Sequence, residues 1–83
     1  MTRTELENKV NQIFKDGNFV AWEFFAQNDT DVYVYIEDGD WKHEHGYLKH
    51  LMLTNGFVCI EQRQVGEDTG GDWYSCEYVF RLI

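Results

Sequence analysis

The chain has 83 residues, of which 43% are hydrophobic and 17% aromatic, and its 15 acidic and seven basic side chains give a formal charge of −8. A chain of this size buries only about 60% of its unfolded surface, which predicts one domain over residues 1–83 rather than two separate cores. The acidity argues against direct binding to nucleic acid, because that affinity comes from lysine and arginine. It favours either solubility alone or a basic partner.

The sequence also predicts the cellular compartment of the protein. No apolar run approaches the roughly 18 residues that span a bilayer, and the N-terminus lacks the apolar segment of a signal peptide. A cytoplasmic protein with no membrane partner is therefore expected. Cys59 and Cys76 fall in predicted strands, where buried thiols are expected, although a bond between them under oxidation stays open.

The first predicted element is a helix that begins at Thr4, because Thr4 and Glu7 have the spacing of a capping box. Apolar residues then recur at helical spacing and predict one buried stripe. These residues are Leu6, Val10, Ile13 and Phe14. Gly17 follows as the expected left-handed C-cap.

Two strands are predicted next, at residues 19–27 and 32–36, joined by the turn-forming cluster at 28–31. A second helix is predicted over 41–54, with Asp38 or Asp40 as its N-cap and His45 at the edge of its apolar stripe. Gly56 ends this helix. Strands at 57–64 and 72–82 then form a second hairpin around the loop 65–71.

The two halves of the chain, at about 4–37 and 41–82, resemble each other. Positions Val10, Ile13, Phe14, Gly17 and 19–23 align with Leu48, Leu51, Met52, Gly56 and 57–61. The order helix, strand, strand, repeated twice, predicts an α+β fold, a two-layer sandwich in which both helices cover one face of a four-stranded antiparallel sheet. This αββαββ order is a circular permutation of the ferredoxin-like order, and it predicts that the second and fourth strands are central.

Alternation along the strands divides their residues between two faces. The set expected to be buried under the helices is Val20, Trp22, Phe24, Val32, Val34, Ile36, Val58, Ile60, Cys76, Tyr78 and Phe80. Alternation then sends aromatic and acidic residues, with Val79, to the other face. The candidate partner-binding residues there are Glu23, Phe25, Asp31, Tyr33, Tyr35, Glu61, Trp73 and Glu77. Aromatics rimmed by acids are typical of a protein-binding surface, whereas scattered aromatics that merely suit strands are the plainer explanation.

A second acidic feature lies in the last predicted loop. Glu67, Asp68 and Asp72 form either a flexible hairpin connection or an acidic finger that contacts a partner. They would repel a phosphate, so the glycines around them do not predict a phosphate-binding loop.

The segment 38–50 holds all three histidines and supports an alternative function. Asp38, Asp40, His43 and His50 are the candidate ligands of a divalent metal in an enzyme or a metal sensor. Their spacing differs from the i, i+4 pair of a zinc helix, and aspartates before a helix are explained as caps. No cofactor, metal or catalytic residue is therefore predicted, and no nucleophile–base constellation can be assembled.

The sequence thus favours a small, acidic, non-enzymatic protein-binding module. Inhibitors that occupy the basic surface of a nucleic-acid enzyme, such as a phage or mobile-element inhibitor of a restriction or CRISPR nuclease, have this profile of size and charge. Self-association through the open sheet face would use the same aromatics.

Overall fold

The computed structural model describes residues 1–66 and 73–83. In chain order they form helix α1, Arg3–Asp16; strands β1, Glu23–Ala26, and β2, Asp31–Asp40; a π-helical turn, Trp41–Gly46; helix α2, Tyr47–Thr54; and strands β3, Phe57–Val65, and β4, Trp73–Leu82. The four strands form one antiparallel sheet in the order β1–β2–β4–β3. The described chain is therefore a small α+β fold, and the expectation that the second and fourth strands are central is confirmed.

The core lies between one sheet face and both helices. In the central strands, Val32 is opposite Phe80, Val34 opposite Tyr78 and Ile36 opposite Cys76, and all six are buried. The predicted stripe of α1 packs against them, as do Leu48 and Met52 of α2. At about 25 cal/mol per Å2 of apolar surface removed from water, this layer supplies the main driving force for folding.

Helix α1 begins at Arg3, and its N-cap lies two residues before the predicted one. Thr2 is the N-cap, its side chain accepts from the N–H of Glu5 at 3.1 Å, and Glu5 accepts from the N–H of Thr2 at 3.0 Å. The capping box is therefore Thr2–Glu5, not Thr4–Glu7, because the same spacing occurs twice in this threonine-rich start and the earlier copy adds two residues of helix.

The end of α1 also differs from the prediction. Gly17 has φ −83°, and the left-handed residue is Asn18 at φ 52°. A Cβ on Gly17 would lie 2.8 Å from the methyl groups of Leu51, so glycine is needed there for close helix packing rather than for its backbone angle. In the second half, Gly56 is left-handed at φ 88°.

The first strand is much shorter than predicted. Residues 19–22 lie outside β1, Phe19 is buried, and Val20 and Trp22 are exposed, so the expected burial of those two residues is wrong. A second correction concerns β3, where a bulge at Ile60 breaks the register between Cys59 and Glu61. Ile60 and Cys59 are exposed, because β3 is an edge strand that α2 covers only near its start. Val58, also expected under the helices, lies opposite Arg81 on the other face of the sheet, so its expected burial in the core is wrong.

Residues 37–40 continue β2 instead of breaking it. A register shift between Ile36 and Gly39 absorbs the extra residue, and Asp38 takes φ 49° there. Asp40 then caps the following turn, as expected, since its Oδ1 accepts from the N–H groups of Lys42 and His43. The predicted second helix divides into the π-helical turn and α2.

The π-helical turn places the side chain of His45 in the core, where it is fully buried. The expected position at the edge of the apolar stripe is therefore wrong. Its Nε2 lies 2.7 Å from the carbonyl oxygen of Tyr74, so Nε2–H donates there and Nδ1 accepts from the hydroxyl of Tyr78 at 2.7 Å. The imidazole also stacks on the Tyr74 ring at 3.9 Å between centroids. A Cβ on Gly39 would clash with the side chain of Ile36 and lie 2.6 Å from Oε2 of Glu44 and 3.1 Å from Nε2 of His45, so glycine makes room for all three side chains.

Burial lowers the pKa of His45, because desolvation disfavours the imidazolium form. The free energy of unfolding should therefore fall as the pH drops below about 6.5, where the unfolded chain takes up the proton first. We expect His45→Gln to cost about 1–3 kcal/mol at pH 8 and to remove most of this slope between pH 7 and 5. Urea unfolding at each pH measures both effects.

His50→Gln is the matched control, because His50 is exposed. If the wild-type slope survives in the His45 variant and disappears in the His50 variant, the assignment of the slope to His45 is wrong.

Candidate functional site

The sheet face turned away from the helices, called the open face here, carries the candidate residues of the strands. Pairing sets Glu23 opposite Tyr35, Phe25 opposite Tyr33, and Tyr33 opposite Val79. Alternation then groups the set on this one side. Its members are Glu23, Phe25, Asp31, Tyr33, Tyr35, Val58, Glu61, Arg63, Trp73, Ser75, Glu77, Val79 and Arg81.

A stacked pair of aromatic rings lies within the apolar part of the open face. Phe25 and Tyr33 stack with 4.9 Å between ring centroids and 26° between their planes. Phe25 is exposed, and Tyr33 and Tyr35 are half-buried. Trp73 is exposed at the start of β4, opposite Asp40. A stacked pair of this kind adds about 0.5–1.5 kcal/mol beyond its area burial and fixes both rings in place.

Glu77 lies at the centre of the open face and is held by neighbours on both sides. The hydroxyl of Tyr33 donates to its Oε2 at 2.7 Å, and Nε of Arg63 donates to its Oε1 at 3.1 Å. These bonds lower the pKa of Glu77, with Tyr33 as the larger cause. Burial, followed by the Glu77 bond, raises the pKa of Tyr33. Charge-assisted bonds of this kind orient both side chains.

Asp31 is the second acid that the chain itself neutralises. Arg81 donates to it twice, from Nε at 2.8 Å and from Nη2 at 3.0 Å. This guanidinium holds the pKa of Asp31 well below its usual range, and the carboxylate is buried at 6% exposure. Asp31 was expected to contact a partner, but its oxygens are already used within the fold.

Of the open-face acids named above, Glu23 on β1 and Glu61 on β3 are exposed. They lie at the two sides of the sheet, so the aromatic pair and Glu77 sit between them. A recess of about 230 Å3 opens beside Glu61; its lining is Gln27, Tyr33, Glu61, Arg63, Glu77 and Val79. The arrangement can accept a cationic side chain next to aromatic rings.

The sequence did not predict that part of the open face is buried. Val79 was expected to point outward, and it does, but it is only 7% exposed because long neighbouring side chains cover it. The two ion pairs were also not expected. Opposite charges on neighbouring strands predict such pairs only when the register is known. Here the bulge at Ile60 shifts the register of β3, and this shift places Arg63 opposite Glu77.

The remaining candidates fall elsewhere. Glu67, Asp68 and Asp72 lie outside the described residues. Of the alternative metal ligands, Asp40 uses Oδ1 to cap the π-helical turn. Within residues 1–66 and 73–83, no three or more His, Cys, Asp or Glu side chains are grouped so that they could hold a metal ion. Nothing in the described chain points positively to an enzymatic activity.

No family model, curated protein or solved structure matches this chain. Among the described residues, the helices are all too short or too polar to cross a membrane. The geometry and charge of the open face are therefore the basis for proposing a function.

The Asp31–Arg81 pair predicts a stability effect that depends on pH. Because the folded-state pKa of Asp31 is lowered, its contribution is present above the unfolded value near 3.9 and is lost as the pH falls below it. Asp31→Asn should cost about 1–2 kcal/mol at pH 7, a figure reduced because Arg81 is half-exposed.

Urea unfolding of the wild type and of Asp31→Asn at pH 7 and pH 2.5 measures this effect. The difference between their free energies of unfolding should be smaller at pH 2.5. Asp29→Asn, in the exposed turn beside Asp31, is the control for general loss of acid charge. If Asp31→Asn lowers the free energy of unfolding as much at pH 2.5 as at pH 7, the role given to the ion pair is contradicted.

Proposed function

We propose that this chain is a small, acidic, non-enzymatic module whose open face docks on a basic protein surface. The observation that carries the proposal is the stacked pair Phe25–Tyr33 lying between two exposed carboxylates, Glu23 and Glu61. Aromatic residues are enriched at the centres of protein interfaces, and charge on the rim speeds and selects the encounter.

Charge complementarity favours a basic partner over a second copy on this face. The chain carries a formal charge of −8, and both arginines of the open face are engaged with Glu77 and Asp31. Docking two such faces together would bring Glu23 and Glu61 of each copy close to like charges. A lysine- or arginine-rich surface would meet exposed carboxylates instead.

The partner class that fits this chemistry best is the positively charged surface of a nucleic-acid enzyme. Such a surface binds phosphates through lysine and arginine, and a compact acidic protein competes with the nucleic acid for the same groups. We therefore propose an inhibitor of a restriction or CRISPR nuclease, of phage or mobile-element origin. Its two cysteines are free, in keeping with a cytoplasmic site of action.

For the fold, we propose a circular permutation of the ferredoxin-like arrangement. The sheet order β1–β2–β4–β3, with both helices in the core layer, supports it. In this arrangement one sheet face is left without helices, which is the face that the proposed function uses.

The proposal predicts that the protein slows DNA cleavage by a guide-loaded CRISPR nuclease or by a restriction endonuclease. We expect the double variant Glu23→Gln, Phe25→Ala to raise the half-inhibitory concentration by about 10- to 100-fold, the range for losing an interface anchor. Added salt should weaken the inhibition by the wild type, because the exposed charges are screened.

The matched control is Asp16→Asn with Leu53→Ala, which removes one exposed acid and one exposed apolar side chain from the helices. It should inhibit like the wild type. No inhibition of either nuclease at low salt, or equal inhibition by the two double variants, would refute the proposal. A shift from dimer to monomer in the Glu23, Phe25 variant would instead assign the open face to self-association.

A further inference from the structure

The two edge strands of the sheet, β1 and β3, differ in how far other elements cover their backbone. At the β1 edge, α1 covers the backbone of Ala26: the N–H of Ala26 donates to Oε1 of Glu7, and Nη2 of Arg3 donates to the carbonyl of Ala26, each at 3.1 Å. Because β1 has only four residues, these two bonds leave little of its edge for pairing with another strand.

The β3 edge has no such cover. This strand is nine residues long, it contains no proline, and residues 59–64 are exposed. Within residues 1–66 and 73–83, no side chain of another element bonds the backbone of Gln62 or Gln64. A long strand with unpaired N–H and C=O groups is a template for a further strand.

Hydrogen bonds at the end of β4 show which groups of β3 point outward. Leu82 N–H donates to Thr30, on the β2 side, and Ile83 N–H donates to Gly56, on the β3 side. Because this direction alternates along an antiparallel strand, Glu77 and Val79 also bond toward β3. Their partners are Arg63 and Glu61, so the backbone groups of Gln62, between them, point away from the sheet.

We propose that two copies of this chain pair antiparallel along β3, about a two-fold axis at Gln62. The charges select this register. With Gln62 opposite itself, Glu61 of each copy lies opposite Arg63 of the partner subunit, in a pair whose backbone separation is only about 4.5 Å. Arg63 also donates to Glu77 of its own copy, so its guanidinium would lie between two carboxylates. Moving the axis by one residue places Glu61 opposite Glu61, or Arg63 opposite Arg63, and like charges directly opposite destabilise pairing.

The bulge at Ile60 limits the paired segment. Bulges twist an edge strand and end its regular pairing, so the contact extends from about residue 60 to residue 64. A contact this short between two chains of charge −8 is reversible and depends on protein concentration. It joins the two sheets side by side and engages Glu61 and Arg63 at the β3 margin of the open face, while Glu23, Phe25 and Tyr33 of each copy stay accessible. The observations behind the pairing are the uncovered edge and its charges, so it does not rest on the proposed function.

Sedimentation equilibrium over a range of concentrations tests the pairing. The wild type should move from the chain mass of 9.9 kDa toward twice that mass. Glu61→Lys should stay monomeric, because the introduced ammonium group then lies opposite Arg63 of the partner subunit. Asp29→Lys is the control, since it makes the same change of charge in an exposed turn far along the chain from β3, and it should still associate.

A mixing experiment distinguishes pairing in this register from a general effect of net charge on association. Arg63→Glu should also be monomeric alone, whereas an equal mixture of Glu61→Lys and Arg63→Glu should form a heterodimer, because both cross-strand pairs then carry opposite charges. Circular dichroism checks that each variant is folded. A wild type that stays monomeric up to its solubility limit, or a mixture that stays monomeric, would overturn the proposal.

Cross-linking gives an independent readout. In a Cys59→Ser background, Gln62→Cys should form a disulfide-linked dimer under mild oxidation, because the two-fold axis places residue 62 beside its own copy within disulfide range. Gln64→Cys in the same background lies opposite residue 60 and should cross-link much less. Equal cross-linking at both positions would show random collision and would count against the register.

Discussion

Pairing between β2 and β4 is the interaction on which the rest of the structure depends. It joins strands that are far apart in the sequence, and its register fixes both sides of the sheet at once. When Val34 lies opposite Tyr78, the buried layer forms under the helices, and Tyr33 lies opposite Val79 on the other side. A slip of one residue would exchange the two sides, exposing the core residues and burying the acids. The candidate binding surface is thus a consequence of the same pairing that builds the core.

The charges of this protein serve two separate purposes. Asp31 and Glu77 are held by Arg81 and Arg63, and these pairs position side chains within the sheet. Glu23 and Glu61 have exposed carboxylates. A simple count of acidic residues therefore overstates what a partner would meet, because acids in charge-assisted bonds are already neutralised in part. The remaining exposed acids still give the face a negative potential beside its aromatic rings.

Much of the fold could be predicted from periodicity, because the stripe of α1 and the alternation in β2 and β4 reflect burial directly. The errors fall where tertiary contacts overrule local pattern. Residues 19–22 have strand-forming side chains but lie outside β1, and the bulge at Ile60 alters the register of an edge strand. His45 was the largest error, since a π-helical turn gives its side chain a direction that ordinary helical spacing does not predict. Alternation placed the aromatic and acidic residues on the open face, but Val58 was expected in the core, and the pairing of the acids with arginines depended on a register that the sequence does not state.

By itself, the sequence determined the element types, the central place of β2 and β4, the core stripe and the acidic, aromatic character of one sheet face. The central place of the two strands followed from the repeated order of elements. The other features are local, since they follow from periodicity, composition and turn chemistry within a few residues. Only the tertiary structure decided which acids are neutralised, where β1 begins, how His45 is buried and which sheet edge is covered. Each of these depends on contacts between residues distant in the chain, such as Arg81 with Asp31 or Arg3 and Glu7 with Ala26, and the order of residues alone does not specify such contacts.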